Sequence, residues 1–132
     1  MHSLEKQMNL LLDTHILIWW LESSSKLTSN IFRAIENTRN NVFVSTGAIW
    51  EIVIKKHIGK LDVPDNLLEV LDVNNFTPLS ITANHVMALE NLPEIHNDPF
   101  DRIQIAQAIH EQMILVTLDQ KIWQYNVNIL EP

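Results

Sequence analysis

Residues 9–22, NLLLDTHILIWWLE, change character in the middle. An aliphatic run of strand length, residues 9–12, ends on Asp13, and residues 15–22 then read as a helix. A strand that closes on an acid and passes straight into a helix is the repeating unit of a parallel sheet. The same alternation recurs along the chain, with strand-like runs at 9–12, 41–44, 113–117 and 128–130. Helical patterns occupy 15–22, 29–38, 45–58, 65–73, 82–91, 99–112 and 120–125. The alternation predicts an α/β fold with a central parallel sheet of about four to five short strands, flanked by helices on both faces.

The 132 residues make one ordinary domain, and a 46% hydrophobic composition suffices for a sizeable core. Residues 1–7, MHSLEKQ, are polar and precede Met8, which leads into the first strand. They read as a natural extension or a cloning remnant, leaving residues 8–132 as the domain. There is no Cys, so a disulfide framework and a thiolate metal site are both excluded and a reducing cytoplasm is the expected home. Asp13, Thr14 and His15 break the apolar stretch near the start, so it is neither a membrane span nor a signal peptide. The formal net charge of −7 argues against coating nucleic acid by bulk electrostatics. An acidic site filled by divalent cations remains compatible with it, because bound cations reverse the local sign.

In open α/β sheets ligands bind beyond the carboxyl ends of the strands, which directs attention to the residues at those exits. Asp13 leaves the first strand, and Asp119 follows the strand MILVT, whose last residue, Thr117, carries a hydroxyl. Taken singly, each aspartate is explained as an N-cap. Glu51 lies in the helix STGAIWEIVIKKHIG, most of whose circumference is apolar. It either faces solvent beside Lys55 or points into a site, with small Gly47 and Ala48 leaving open space one turn earlier. In NDPFDR, residues 97–102, Asp98 as N-cap, Pro99 at the first helical position and Asp101 at the third make a well-formed helix start. Arg102 fits less well, because a cation in the first turn faces the positive helix end unless a carboxylate or phosphate compensates it. Carboxylates gathered from these four places would repel one another and rise in pKa unless cations neutralised them. An all-oxygen cluster selects Mg²⁺ or Mn²⁺, and one or two such ions can activate water for attack on a phosphodiester.

The ordered set LLDTHILIWWL, the Glu51 helix ending KKHIGKL, LPEIHNDPFDRIQIAQA, and ILVTLD with YNVNIL resembles the PIN-domain ribonucleases, particularly the VapC-type toxins of bacterial toxin/antitoxin pairs. The resemblance covers nearly the whole chain from Met8 to Leu130. It implies that Asp13, Glu51, Asp101 and Asp119 surround Mg²⁺ or Mn²⁺, with Thr117 bonding a carboxylate or the attacking water. Asp98 and Arg102 match the DPFDR variant in supporting roles. It further implies a single PIN-like domain with metal-dependent endoribonuclease activity on RNA, a homodimer, and a small antitoxin protein that occupies or distorts the acidic pocket.

Other residues have plainer readings. The six His lack a metal-ligand spacing such as HExxH; His15, His57 and His110 read as packed or solvent-facing helix residues, and His96, close to the acidic site, is the one to watch. Trp19, Trp20, Trp50 and Trp123 suit burial or an interface better than base stacking. Lys55, Lys56, Lys60 and Arg102 are candidates to guide an RNA backbone. A receiver-type phosphoacceptor would end a middle strand on Asp and a late one on Lys, whereas Ser45 and Thr117 stand there. A haloacid-dehalogenase-like phosphatase would need a second Asp two residues after Asp13, where His15 stands, and so lacks its general acid. The alternative from another class is a catalytically silent scaffold that binds a protein partner.

Overall fold

The computed structural model describes residues 7–132, so the reading of residues 1–7 as an extension falls almost wholly outside the described part. Four parallel strands form one sheet: β1 (Asn9–Leu12), β2 (Asn41–Ser45), β3 (Phe76–Leu79) and β4 (Ile114–Val116), in the order β3-β2-β1-β4. The helices are α1 (Thr14–Leu21), α2 (Ser29–Glu36), α3 (Thr46–His57), α4 (Leu67–Val73), α5 (Ala83–Ala88) and α6 (Pro99–His110).

β1 sits inside the sheet, and Leu10, Leu11 and Leu12 are all fully buried. Side chains alternate across a strand, so these residues feed two cores. Leu10 and Leu12 pack with Ile16, Leu17, Ile31, Ile52 and Leu71 on one face, and Leu11 packs with Ile105, Ala108, Leu115 and Ile122 on the other. Burial on both faces accounts for the unbroken aliphatic run and the absence of a polar alternation. Because every strand is parallel, all the strand exits lie on one side of the molecule. The turn from β1 into α1 and the segment after β4 leave neighbouring strands there, with the Asp13 amide donating to the Val116 carbonyl at 3.1 Å.

Helix ends follow local chemistry. α3 closes with Gly59 at φ 76°, its amide bonding to Lys56 and that of Lys60 to Lys55. α6 ends the same way, with Gln112 at φ 57° and bonds from Gln112 to Ile109 and from Met113 to Ala108. These are paired backbone closures around a left-handed residue, and the second turns the chain directly into β4.

The structure departs from the sequence expectation at the third strand and the C-terminus. FTPL forms β3, on the sheet edge, where the missing N–H of Pro78 leaves no inner ladder incomplete. The expected strand at 128–130 contributes only a bridge between Leu115 and Ile129. The pattern at 120–125 is a short 3₁₀ turn, Ile122–Gln124, and the helix expected at 82–91 passes into 3₁₀ form at Leu89–Asn91. No helix among the described residues is long and apolar enough to cross a membrane.

Candidate metal centre

Asp13 caps α1 and also belongs to a site. Its Oδ1 accepts from the Ile16 amide at 2.8 Å, and its carboxylate is hydrogen-bonded by the Thr117 side chain. The residue is only 4% exposed, and burial pushes its pKa above the ordinary 3.8 against those hydrogen bonds. His15 opposes the rise and nearby Asp119 adds to it.

Glu51 is buried on α3, and Lys55 reaches it at 3.0 Å. Pairing and burial therefore occur together, where the sequence presented them as alternatives. Beside Gly47 other elements approach closely, and an apolar cavity of about 250 Å³ lined by Gly47, Trp50, Ile81 and Phe100 opens there. A Cβ on Gly47 would lie 3.2 Å from Ile81 Cδ1 and 3.3 Å from Ile103 Cγ2, so the glycine permits close approach of neighbouring elements.

Asp98 is the N-cap of α6, its Oδ1 accepting from the amides of Phe100 at 2.8 Å and Asp101 at 3.3 Å. Asp101 then projects from the first turn and is pushed up to about 7, mainly by burial and next by the charge of Asp98. Asp13 and Glu51 raise it further while His96 pulls it down, so Asp101 lies within electrostatic reach of both buried acids. Asp119 is more open. Its Oδ1 accepts from the Lys121 amide at 2.9 Å, and its own amide donates to Thr117 Oγ1 at 3.0 Å. His96 Nε2 lies 3.0 Å from Asp119 Oδ2 and 3.1 Å from Asp101 Oδ2, joining α6 to the loop after β4. A cavity of about 280 Å³, lined by Asp13, His15, Trp19, Leu118 and Asp119, opens beside these groups. His96, Asp101 and Asp119 each place one possible ligand atom within 4.8 Å of the others, Asp13 and Glu51 lie within electrostatic reach of Asp101, and Thr117 contacts Asp13 and Asp119.

Asp98→Ala is expected to lower stability by about 1 kcal/mol, the usual cost of losing an N-cap. Chemical denaturation should register that loss while Asp101 keeps its partner His96. An unchanged midpoint would deny Asp98 its capping role.

Arg102 has a carboxylate near it, with Glu94 Oε1 4.0 Å from Nη2, and backbone carbonyls supply most of its contacts. Nη1 donates to the Pro93 carbonyl at 2.8 Å, to the Tyr125 hydroxyl at 3.3 Å and to the His96 carbonyl at 3.4 Å. Among the described residues Lys55 and Lys56 are likewise engaged, with Glu51 and Asp65, which there leaves Lys60 of the four cations proposed to guide RNA. Tyr125 is the contributor that sequence reading missed. Its hydroxyl accepts from the His96 amide at 2.8 Å and donates to the Pro93 carbonyl at 2.9 Å. No local motif announces that contact, since 29 residues separate Tyr125 from His96. Trp50 is 61% exposed and meets Phe100 edge-on, which places it on the surface, while Trp20 is held by a bond from Nε1 to Asn74.

The donor set suits a hard divalent cation. Two of the four carboxylates are buried, and burial first, with neighbouring acids adding to it, raises the pKa values of Asp13 and Asp101. Oxygen ligands of this kind favour Mg²⁺ or Mn²⁺.

Comparison with curated proteins finds no match. Among solved structures, the chain is similar to VapBC2 from Rickettsia felis bound to a DNA fragment from their promoter, with TM-score 0.69 and 18% identity over 94% of this chain and 98% of that one. It is similar to DNA-bound VapBC from Salmonella typhimurium, with TM-score 0.64 and 14% identity over 95% and 98% of the two chains. It also resembles a toxin-antitoxin complex from Klebsiella pneumoniae, with TM-score 0.58 and 19% identity over 87% and 90%. At these identities the likeness speaks for the fold. The family itself follows from the sequence profile of the PIN domain, which matches residues 10–128, from the first strand to the last turn: the chain belongs to the PIN domain family.

Proposed function

We propose that the protein is a metal-dependent endoribonuclease and the toxin of a toxin/antitoxin pair. The convergence of Asp13, Glu51, Asp101 and Asp119 at the strand exits carries this reading, with Asp101 and Asp119 sharing His96. These four carboxylates would hold Mg²⁺ or Mn²⁺. Such an ion supplies an activated water and neutralises charge on a phosphodiester during in-line attack.

The chain's own residues perform the preparation. Asp13 is fixed by the Ile16 amide and Thr117, so its carboxylate needs no reordering before binding. Glu51 is held by Lys55, which also limits the negative charge facing an RNA phosphate. Asp119 stands at the more open side, beside the cavity that Trp19 and His15 line, where a substrate backbone would pass. The toxin assignment and a small antitoxin partner are supported by the fold shared with the VapBC complexes. A homodimer and a cytoplasmic setting belong to the same reading.

Purified protein incubated with total RNA should produce discrete new ends with Mn²⁺ or Mg²⁺ and none with EDTA. Mapping those ends identifies the RNA class and cleavage sequence. Intact RNA at every cation concentration, from folded protein free of antitoxin, would favour the partner-binding scaffold.

A further inference from the structure

His96 stands between two of the acids, and its ring is oriented by a bond that points the other way. The backbone N–H of Asp98 donates to His96 Nδ1 at 3.1 Å. A nitrogen that accepts a hydrogen bond carries no proton, so the neutral ring has its proton on Nε2. That nitrogen is the one lying 3.1 Å from Asp101 Oδ2 and 3.0 Å from Asp119 Oδ2. Its N–H is hydrogen-bonded to Asp119, while Asp101 Oδ2 lies at ion-pair distance from the same nitrogen, so one N–H stands between carboxylates from two different elements. A histidine that ligates metal has the opposite arrangement, with its binding nitrogen bare and the other N–H donating to an acceptor.

The loop that carries the ring is pinned from behind. The Tyr125 hydroxyl receives the His96 amide, and Arg102 binds the carbonyls of Pro93 and His96. Asp98 thus serves twice: its side chain caps α6 and its amide fixes the histidine tautomer.

We propose that His96 is a positioning residue of the acidic site: a fixed N–H donor that draws Asp101 and Asp119 together and stands outside the metal-ligand set. The inference rests on reading those acids as the ligands of a divalent cation. It confines the donor set to oxygen and gives His96 the task of aligning carboxylates that would otherwise repel each other.

Three measurements on the full chain test it. Nitrogen NMR of the imidazoles in metal-free protein should show His96 with a bare Nδ1 and a protonated Nε2. Pulsed EPR of Mn²⁺-loaded protein should show no nitrogen coupling from a directly bound imidazole. Mn²⁺ titration should find His96→Gln, which keeps an N–H donor, close to the parent, and His96→Leu weaker by about 10-fold or more. A directly bound nitrogen that disappears in His96→Gln overturns the proposal, as does the reversed tautomer or a folded His96→Leu that binds Mn²⁺ as tightly as the parent. Should His96→Leu not fold, the other two measurements and the Gln variant still decide. RNA cleavage is scored separately: a parent that binds Mn²⁺ as described yet cuts no RNA refutes the nuclease reading and leaves His96 assigned. A parent that takes up no Mn²⁺ refutes both.

Discussion

Asp101→Asn is expected to reduce cation-dependent RNA cleavage by at least about 100-fold, which corresponds to the loss of several kcal/mol of stabilisation at a cation-assisted transition state. The protein should fold normally or become more stable. Asp101 lies at the third position of α6, where the cap belongs to Asp98, so the substitution leaves the helix start intact. It also removes a charge that burial, Asp98, Asp13 and Glu51 all oppose. Loss of activity together with equal or higher stability separates a ligand from a structural residue, because removing a structural contact lowers both. Circular dichroism, a denaturation midpoint and an end-mapped cleavage assay on the same preparation suffice. Full cleavage by the folded variant would remove Asp101 from the site.

The placement of three of the acids was legible because each occupies a position with a local signature. Asp13 and Asp119 follow strands, and Asp98 with Pro99 marks the start of α6 so clearly that the facing of Asp101 follows from it. Side-chain partners across the fold were less legible. From sequence, Arg102 faces the positive end of its helix and calls for a carboxylate or a phosphate, and Glu94 lies 4.0 Å from it. Its actual acceptors, the carbonyls of Leu92, Pro93 and His96, depend on how the preceding loop folds back. Glu51 shows the same limit: helical period placed it beside Gly47 and Lys55, but only the packing of Ile81 and Ile103 against Gly47 shows that α3 is closely approached there. The third strand escaped notice because Pro78 contradicts strand patterning everywhere except at an edge, and edges are assigned by topology.

The stability of the cation-free protein is expected to fall as pH rises from about 4 to 7, and Mn²⁺ should reverse that fall. Asp101 in the folded protein titrates at about 7, against an ordinary 3.8, so between those values the folded state holds a proton that the unfolded state has released. Stability therefore decreases with pH across that window, the reverse of a salt-bridged carboxylate. The full difference is worth up to about 4 kcal/mol and, allowing for solvent screening, roughly 2 kcal/mol. Asp13, also raised by burial, acts in the same direction. A cation that binds only the folded state adds about 2.7 kcal/mol at a hundred times its dissociation constant. Since protons and cations compete for the same oxygens, the stabilisation by Mn²⁺ should be much larger at pH 8 than at pH 5.5. Thermal or denaturant unfolding in EDTA and in Mn²⁺ at both pH values measures all four states, and Asp101→Asn should flatten the part of the pH dependence that Asp101 contributes. A cation-free midpoint that climbs from pH 5.5 to 8, or an equal Mn²⁺ effect at both, would mean that the acids are neither crowded nor shared by a metal.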